Sequence, residues 1–292
     1  MKCFKILTRI FNFIFVLKAE NFFDTDCSKA NDHSRIIIAG GSLTEIVFFL
    51  GLEDKLIGVD ITSNFPESAK EIPSIGYVRT LSAEGILSLE PSLILGENDM
   101  GPPMVIDQIQ KTSVDLRIIP EKRSVIGILE KINCIGSIIN YKSETTTLIN
   151  DKLIAMVDEL LQLQKTNSTK NTKAMLILSM GGTSPVVAGR NTSGNGFINM
   201  IGAQNIFESH EGWKPVSEES ILKNNPDIII IPQREVHKNS SIASFLDSSH
   251  LKKTKAVKNN NIISEDAMAM LGFGPRTIDI ALKTSRSIAA NE

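Results

Sequence analysis

Tyr77 and Arg79, in "IGYVRTLSAEG" (75–85), are the pair whose types and spacing could do chemistry, and Tyr77 is one of only two tyrosines in the chain. Two residues apart in an extended segment, their side chains project to the same side. A guanidinium so placed can reach the phenol oxygen, favour its ionised form and lower a pKa that starts at about 10. Phenolate is a hard oxygen ligand for ferric iron, and tyrosine is among the axial ligands of haem. The plain alternative is a turn tyrosine resting its ring on the surface. Competing site chemistry is thin. His33, His210, His237 and His250 are dispersed, with no histidine-carboxylate cluster for a metal ion. No G-x-S-x-G elbow or H-E-x-x-H helix is present, so an exported α/β enzyme is the weakest reading. The Gly40-Gly41 and Gly181-Gly182 pairs lack the Lys-Ser/Thr continuation of a phosphate loop and read as tight strand-to-helix turns.

Such a pair needs a scaffold, and 292 residues with 42% apolar and 22% charged side chains suit two ordinary domains. A formal net charge of -2 and the lack of a long basic run argue against nucleic acid or an anionic membrane as partner. Lys2, Lys5 and Arg9 precede the apolar run Ile10 to Leu17, the layout of a secretory signal peptide. The run is shorter than the about 20 apolar residues of a membrane span. Residues 1–30 are therefore expected to be a cleaved leader, with Ala19 and Ala30 as candidate cut points. Cys27 follows "DTD", which is not the setting of a lipid-attachment cysteine. Removing the leader takes Cys3 and leaves Cys27 without a role, so Cys134 is expected alone, as a small buried apolar residue with no disulfide.

From Arg35 onward short β-rich runs ("RIIIA", "KLIGV", "SLILG", "DLRIIP") alternate with helical patterns ("SLTEIVFFLG", "PPMVIDQIQKT", "SVIGILEKINCIGSII"), which implies a mostly parallel α/β sheet. Ser42 and Glu45 have the spacing of an S-x-x-E capping box. From Tyr141 to Lys165 there is neither glycine nor proline, and apolar residues recur at helical spacing, so one long helix is expected over 141–166. After "TNSTKNTK" the alternation resumes. The organisation is thus an N-terminal α/β lobe (31–140), a linking helix that offers no hinge residue, and a C-terminal α/β lobe (167–292).

An internal repeat supports two related lobes. "LSAEGILSLEPSLIL" (81–95) matches "VSEESILKNNPDIII" (216–230) without a gap, at an offset of 135 residues. Each copy reads as a helix capped by Ser82 or Ser217, a proline turn and a buried strand. Gly76-Tyr77 precedes the first copy and Gly212-Trp213 the second, so each lobe brings a glycine-aromatic pair to the same loop. In open α/β sheets such loops line the ligand crevice.

The chain resembles the periplasmic haem-binding proteins of bacterial haem ABC importers. The likeness runs over almost the whole mature chain and is carried by "GGSLTEIVFFLG", "GVDITSNFP", "IGYVRTLSAEGILSLEPSLIL", "GTSPVVAGRNTSG", "GWKPVSEESIL", "NPDIII" and "LGFGPRT". The resemblance implies two Rossmann-like α/β lobes joined by one long helix, a periplasmic location, and capture of ferric haem between the lobes for delivery to an ABC permease and its ATPase, with an outer-membrane haem receptor upstream. Tyr77 matches the family's axial haem ligand, Arg79 its supporting arginine, and Arg234 a second arginine from the other lobe. Some relatives add a histidine near "SMGGTSPVV"; here Met180 occupies that region, which favours tyrosinate as the only protein ligand. Trp213 could stack on the porphyrin, and Met268, Met270 and Phe273 could supply apolar wall. Glu84 and Glu219 match the glutamates, one per lobe, that dock on the two permease subunits. A ferric siderophore or a corrinoid is the alternative ligand within the same class.

Overall fold

The computed structural model describes residues 26–181, 184–233 and 251–290. In the first lobe β1 (Ile36–Ala39), β2 (Leu56–Val59), β3 (Leu93–Glu97) and β4 (Asp115–Ile119) form a parallel sheet in the order β2-β1-β3-β4. The two central strands, β1 and β3, are short apolar runs, the pattern expected where both faces of a parallel strand are covered. Helices α1 (Gly41–Phe49), α2 (Ala83–Leu87), α3 (Pro103–Gln110) and α4 (Val125–Ile138) connect and cover them. The prolines of "PPMVIDQIQKT" sit at the start of α3, where their missing N–H costs nothing.

The second lobe is a mixed sheet of β5 (Lys173–Gly181), β6 (Ser184–Ala188), β7 (Gln204–Asn205), β8 (Trp213–Pro215), β9 (Ile228–Ile230) and β10 (Ile262–Ile263). Its order is β10-β9-β5-β6-β8, with β7 pairing the first residues of β5. Strands β7, β9 and β10 keep the parallel sense, whereas β6 runs antiparallel to β5 and β8 antiparallel to β6. Helices α7 (Ser193–Met200), α8 (Glu218–Asn224), α9 (Lys255–Lys258) and α10 (Ala267–Leu271) follow, and α11 (Pro275–Ala290) closes the chain.

The repeat is a structural one. Ser82 accepts from the Gly85 N–H and Ser217 from the Ser220 N–H, so both helices carry the same side-chain cap. Glu90 (φ 50°) and Asn225 (φ 46°), equivalent residues, are both left-handed ahead of the paired prolines Pro91 and Pro226. Leu93 then pairs with Ile36 as Ile228 pairs with Ala174. Gly76 and Gly212, which precede the two aromatic residues, also share positive φ (95° and 72°), a conformation open to glycine at no steric cost.

Three sequence expectations change. The stretch 141–166 is two helices, α5 (Lys142–Lys152) and α6 (Ile154–Ser168), meeting at Leu153 (φ −115°, ψ −34°). Backbone hydrogen bonds continue across the junction, from the Leu153 N–H to the Ile149 carbonyl and from the Val157 N–H to the Leu153 carbonyl. The halves answer to different neighbours, α5 to α4 and α6 chiefly to α11. In α5 the hydroxyls of Thr145, Thr146 and Thr147 each bond the carbonyl four residues back, an arrangement that bends helices.

Second, Cys27 is not left without a role, and Cys134 is not alone: the two form a disulfide that closes a sequence separation of 107 residues. Third, Asp26 to Ala30, placed in the leader by sequence, belong to the folded lobe. Ala30 is fully buried and donates its N–H to the Ile138 carbonyl, while Asp26 pairs with Arg117 at 2.8 Å. Residues 1–25, which hold the signal-like run, lie outside the described residues. The main apolar core is common to both lobes, running from Ile36 and Leu93 through Ile132, Val157 and Leu160 to Ala174, Phe197 and Ile278.

Candidate functional site

Three loops meet at the C-terminal edge of the first sheet. The loop after β2 carries Asp60 to Pro66, a second segment carries Gly76 to Leu81, and the loop after β3 carries Asp99 to Pro102. Backbone hydrogen bonds stitch them together. The Ile61 N–H reaches the Gly76 carbonyl (2.9 Å), the Gly101 N–H the Val78 carbonyl (2.9 Å), and the Leu81 N–H the Gly101 carbonyl (2.9 Å).

Tyr77 is 38% exposed on this edge. The Arg79 guanidinium carbon lies 6.0 Å from its ring centroid, but residues 77–80 form a turn, closed by the Thr80 N–H on the Tyr77 carbonyl (2.8 Å), rather than the extended segment expected. The guanidinium's ion pair, however, is with Asp99, at 2.8 Å from Nε and 2.7 Å from Nη2 to the same carboxylate oxygen. Sequence reading missed Asp99, which lies 20 residues from Arg79 with no recognisable spacing. Its only signal was its place just beyond a strand's C-terminal end.

Asp60 builds the first loop. Its carboxylate, 1% exposed, accepts from the Gly40 N–H (2.9 Å), the Thr62 N–H (3.0 Å), the Thr62 hydroxyl (2.7 Å) and the Ser63 hydroxyl (3.1 Å). Burial raises its pKa and these donors pull it back. With the polar groups of the turn turned inward, Ile61 is left 63% exposed.

Between the lobes Ser42 and Glu45 depart from the capping-box expectation. The cap position of α1 is Gly40, with no side-chain cap, and both residues are buried in the interlobe seam. The Ser42 hydroxyl donates to Glu97 (2.6 Å) and accepts from the Lys131 ammonium (3.0 Å), itself 1% exposed. Glu45 accepts from the Arg276 N–H (2.7 Å) and Nε (2.8 Å), and Arg276 reaches Asp266 at 3.3 Å and stacks 3.7 Å over the Phe65 ring. An S-x-x-E spacing also places two side chains on one helix face, and here that face meets the other lobe. The role of Arg276, within the quoted "LGFGPRT", went unread.

Glu97 is pushed up to about 7, chiefly by burial, with Lys131 and Ser42 opposing the shift and Glu121 and Asp99 adding to it. Its folded value thus exceeds the ordinary carboxylate value, so the folded chain keeps a proton that the unfolded chain loses between those two pH values. The group's contribution to stability therefore falls as pH rises through that window. Glu97→Gln is expected to melt above the wild type at pH 8 and close to it at pH 4.5. Equal differences at both pH values in thermal melts would refute this.

Trp213 is half-buried on the edge strand β8, its ring lying on Gly194 and the main core. Met270 and Phe273 are fully buried core residues, so only Met268, half-buried, could face a ligand. Met180 stands opposite Pro185 in the β5–β6 pair. Arg234 lies outside the described residues, as do His237 and His250. Its neighbour Gln233 lines, with Asp60, Ile61, Ser74 and Asp266, a cleft of about 430 Å³ between the lobes. Glu84 and Glu219 are both exposed in the first turn of their capped helices.

Comparison with known proteins agrees with this architecture. An uncharacterised ABC transporter substrate-binding lipoprotein, YvrC of Bacillus subtilis, is 24% identical over 94% of this chain and 86% of its own. A vitamin B12-binding protein of Pectobacterium carotovorum is 24% identical over 68% of this chain and 70% of its own. Among solved structures, the periplasmic haem-binding protein HutB of Vibrio cholerae is 30% identical with a TM-score of 0.76, covering 88% of this chain and 99% of its own. The periplasmic haem-binding protein BhuT, in complex with two haems, is 27% identical with a TM-score of 0.78, covering 87% and 97%. The family model described as periplasmic binding protein matches residues 36–269, and the chain belongs to that family: it is a substrate-binding protein of an ABC transporter, not an enzyme.

Proposed function

We propose that the protein captures ferric haem between its lobes, with the Tyr77 phenolate as the axial iron ligand, and delivers it to an ABC permease. The observation that carries this reading is the placement of Tyr77. Its side chain is partly exposed at the C-terminal edge of the first sheet, where open α/β sheets bind ligands, with a guanidinium alongside its ring. The haem-binding proteins of matching fold support the choice of ligand. Arg79, paired with Asp99, supplies a positive charge beside the phenol without a large local net charge. Arg234 is the proposed second cation from the other lobe. Trp213 is proposed as a porphyrin contact from that lobe and Met180 as a neighbour of the iron's far side. Glu84 and Glu219, related by the repeat, would meet the two subunits of the permease as matched anionic points. An outer-membrane haem receptor would supply the ligand.

The vitamin B12-binding relatives favour a second ligand, a corrinoid, in the same cleft. Titration of the purified chain separates the two. Ferric haem is expected to give a saturable Soret shift with a high-spin tyrosinate spectrum, and Tyr77→Phe to lose that signature with affinity falling at least about tenfold, the scale set by losing a strong ligand contact. A saturable response to cyanocobalamin with none to haem overturns the haem reading; an unchanged spectrum in Tyr77→Phe removes Tyr77 as ligand. For docking, Glu84→Ala with Glu219→Ala is expected to lower uptake in a reconstituted importer while leaving haem titration unchanged. Unchanged uptake would refute those roles.

A further inference from the structure

The contacts around Lys131 continue past the seam. Glu121 and Arg123 stand in the loop between β4 and α4. One Glu121 oxygen lies 3.6 Å from the Lys131 ammonium, and the other accepts from Arg123 Nε at 2.9 Å. Arg123 then reaches the other lobe. Its Nη1 donates to the Asn191 carbonyl (2.8 Å), in the loop between β6 and α7. Asn191 is left-handed (φ 62°), a conformation asparagine tolerates, and its side-chain amide donates to Glu211 (2.8 Å), which also accepts from Arg190 Nε (3.1 Å). Glu211 stands two residues before Trp213, and the two loops are joined from the Gly189 N–H to the Gly212 carbonyl (3.0 Å) and from the Gly212 N–H to the Arg190 carbonyl (2.9 Å). Through Ser42 and Lys131, a run of charge-assisted contacts therefore links Glu97, at the end of β3, to the glycine-aromatic loop of the second lobe.

Packing singles out the same residues. A Cβ on Gly196 would stand 2.5 Å from the Arg123 Cβ, and one on Gly194 would stand 2.8 Å from the Trp213 ring. Arg123 from the first lobe and Trp213 from the second thus rest on one turn of α7, and a shift of the arginine is felt by the turn that supports the tryptophan.

We infer that Arg123 is a positioning residue: through Glu121, Lys131 and Ser42 it ties the setting of the Trp213 loop to the charge state of Glu97. With Glu97 ionised, the Ser42 hydroxyl donates to the carboxylate and accepts from Lys131, which draws the ammonium away from Glu121. Glu121 then holds Arg123 against the second lobe. A proton on Glu97 removes that pull. The ammonium moves to Glu121, the hold on Arg123 loosens, and the Trp213 loop relaxes toward solvent. The charged groups facing Glu97 are Lys131 from α4, Glu121 from the loop before it, and Asp99 and Arg79 from the loops at Tyr77, with Ser42 the polar contact from α1. Burial holds the Glu97 pKa at about 7, so the change falls in the neutral range. The coupling belongs to the unliganded chain and holds whichever ligand the cleft takes.

Trp213 is the chain's single tryptophan, so emission from the full, unliganded protein reads this loop alone. Its maximum is expected to move to longer wavelength as pH falls from 8.5 to 5.5, with a midpoint of about 7. Glu97→Gln and Arg123→Leu are each expected to abolish the shift, and Arg123→Lys, which keeps the charge without the planar fork, to restore only part of it. His210 is the control, because histidine is the side chain that ordinarily changes charge in this window and His210 lies three residues from Trp213, stacked on Phe207. His210→Gln should leave the shift in place. A shift that persists in Glu97→Gln or in Arg123→Leu, one that is lost in His210→Gln, or wild-type emission that is flat across the window would each overturn the coupling. Should Glu97→Gln fail to fold, Arg123→Leu, at a side chain 41% exposed, decides by itself.

Discussion

Replacing Cys134 by serine is expected to cost about 3 to 5 kcal/mol of stability, the scale for losing a crosslink across a loop of roughly a hundred residues. The bond joins Cys27, in the first described segment, to α4 across 107 positions, and Cys134 is 7% exposed within the main core. Cys27→Ser should cost nearly as much, and the double variant no more than either single one, because each removes the same crosslink. Melting without reductant should fall by roughly 10 °C in the variants, the order expected for this loss in a chain of this size. Addition of dithiothreitol should lower the wild type to the same point and leave the variants where they are. Melting points that coincide for wild type, variants and reduced protein would refute the assignment. A crosslink of this kind persists in an oxidising compartment, in keeping with a periplasmic binding protein.

Much of the fold was legible because its signals are local. Alternating β-rich and helical runs gave the two α/β lobes, and the match of 81–95 with 216–230 carried over even to the left-handed residues Glu90 and Asn225. What was not legible depends on facts that no window holds. The Cys27–Cys134 pairing needed the knowledge that Asp26 to Ala30 pack on the lobe, through Arg117 and the Ile138 carbonyl, rather than leave with the leader. The division of the long helix at Leu153 reflects two sets of neighbours rather than a glycine or proline. At the site, Tyr77 and Arg79 were visible because they stand two residues apart in one short stretch. Asp99 was not, because the guanidinium's partner arrives from a different strand end. The same reason hid Arg276: its partner Glu45 is 231 positions away, and each residue alone has an ordinary local explanation.

That distant pair gives the other large effect. Glu45 is 7% exposed at its side chain and Arg276 24%, so the bridge lies in the seam between the first lobe and the C-terminal helix. Burial raises the Glu45 pKa, and Arg276 is the main influence lowering it again. Arg276→Leu therefore leaves a buried carboxylate with only the backbone N–H of residue 276, at an expected cost of about 3 kcal/mol near pH 8. The pH dependence has a definite sign. Without the guanidinium, the folded-state pKa of Glu45 rises further above its unfolded value, so protonation relieves the folded chain and the loss shrinks as pH falls. Adding Glu45→Gln to Arg276→Leu should recover much of the stability at pH 8 and little near pH 5, because the neutral amide replaces the stranded charge. Denaturant melts of the two single variants and the double variant at both pH values measure this. If Arg276→Leu is no less stable than the wild type at pH 8, or if its loss grows in acid, the pair does not hold the lobes together.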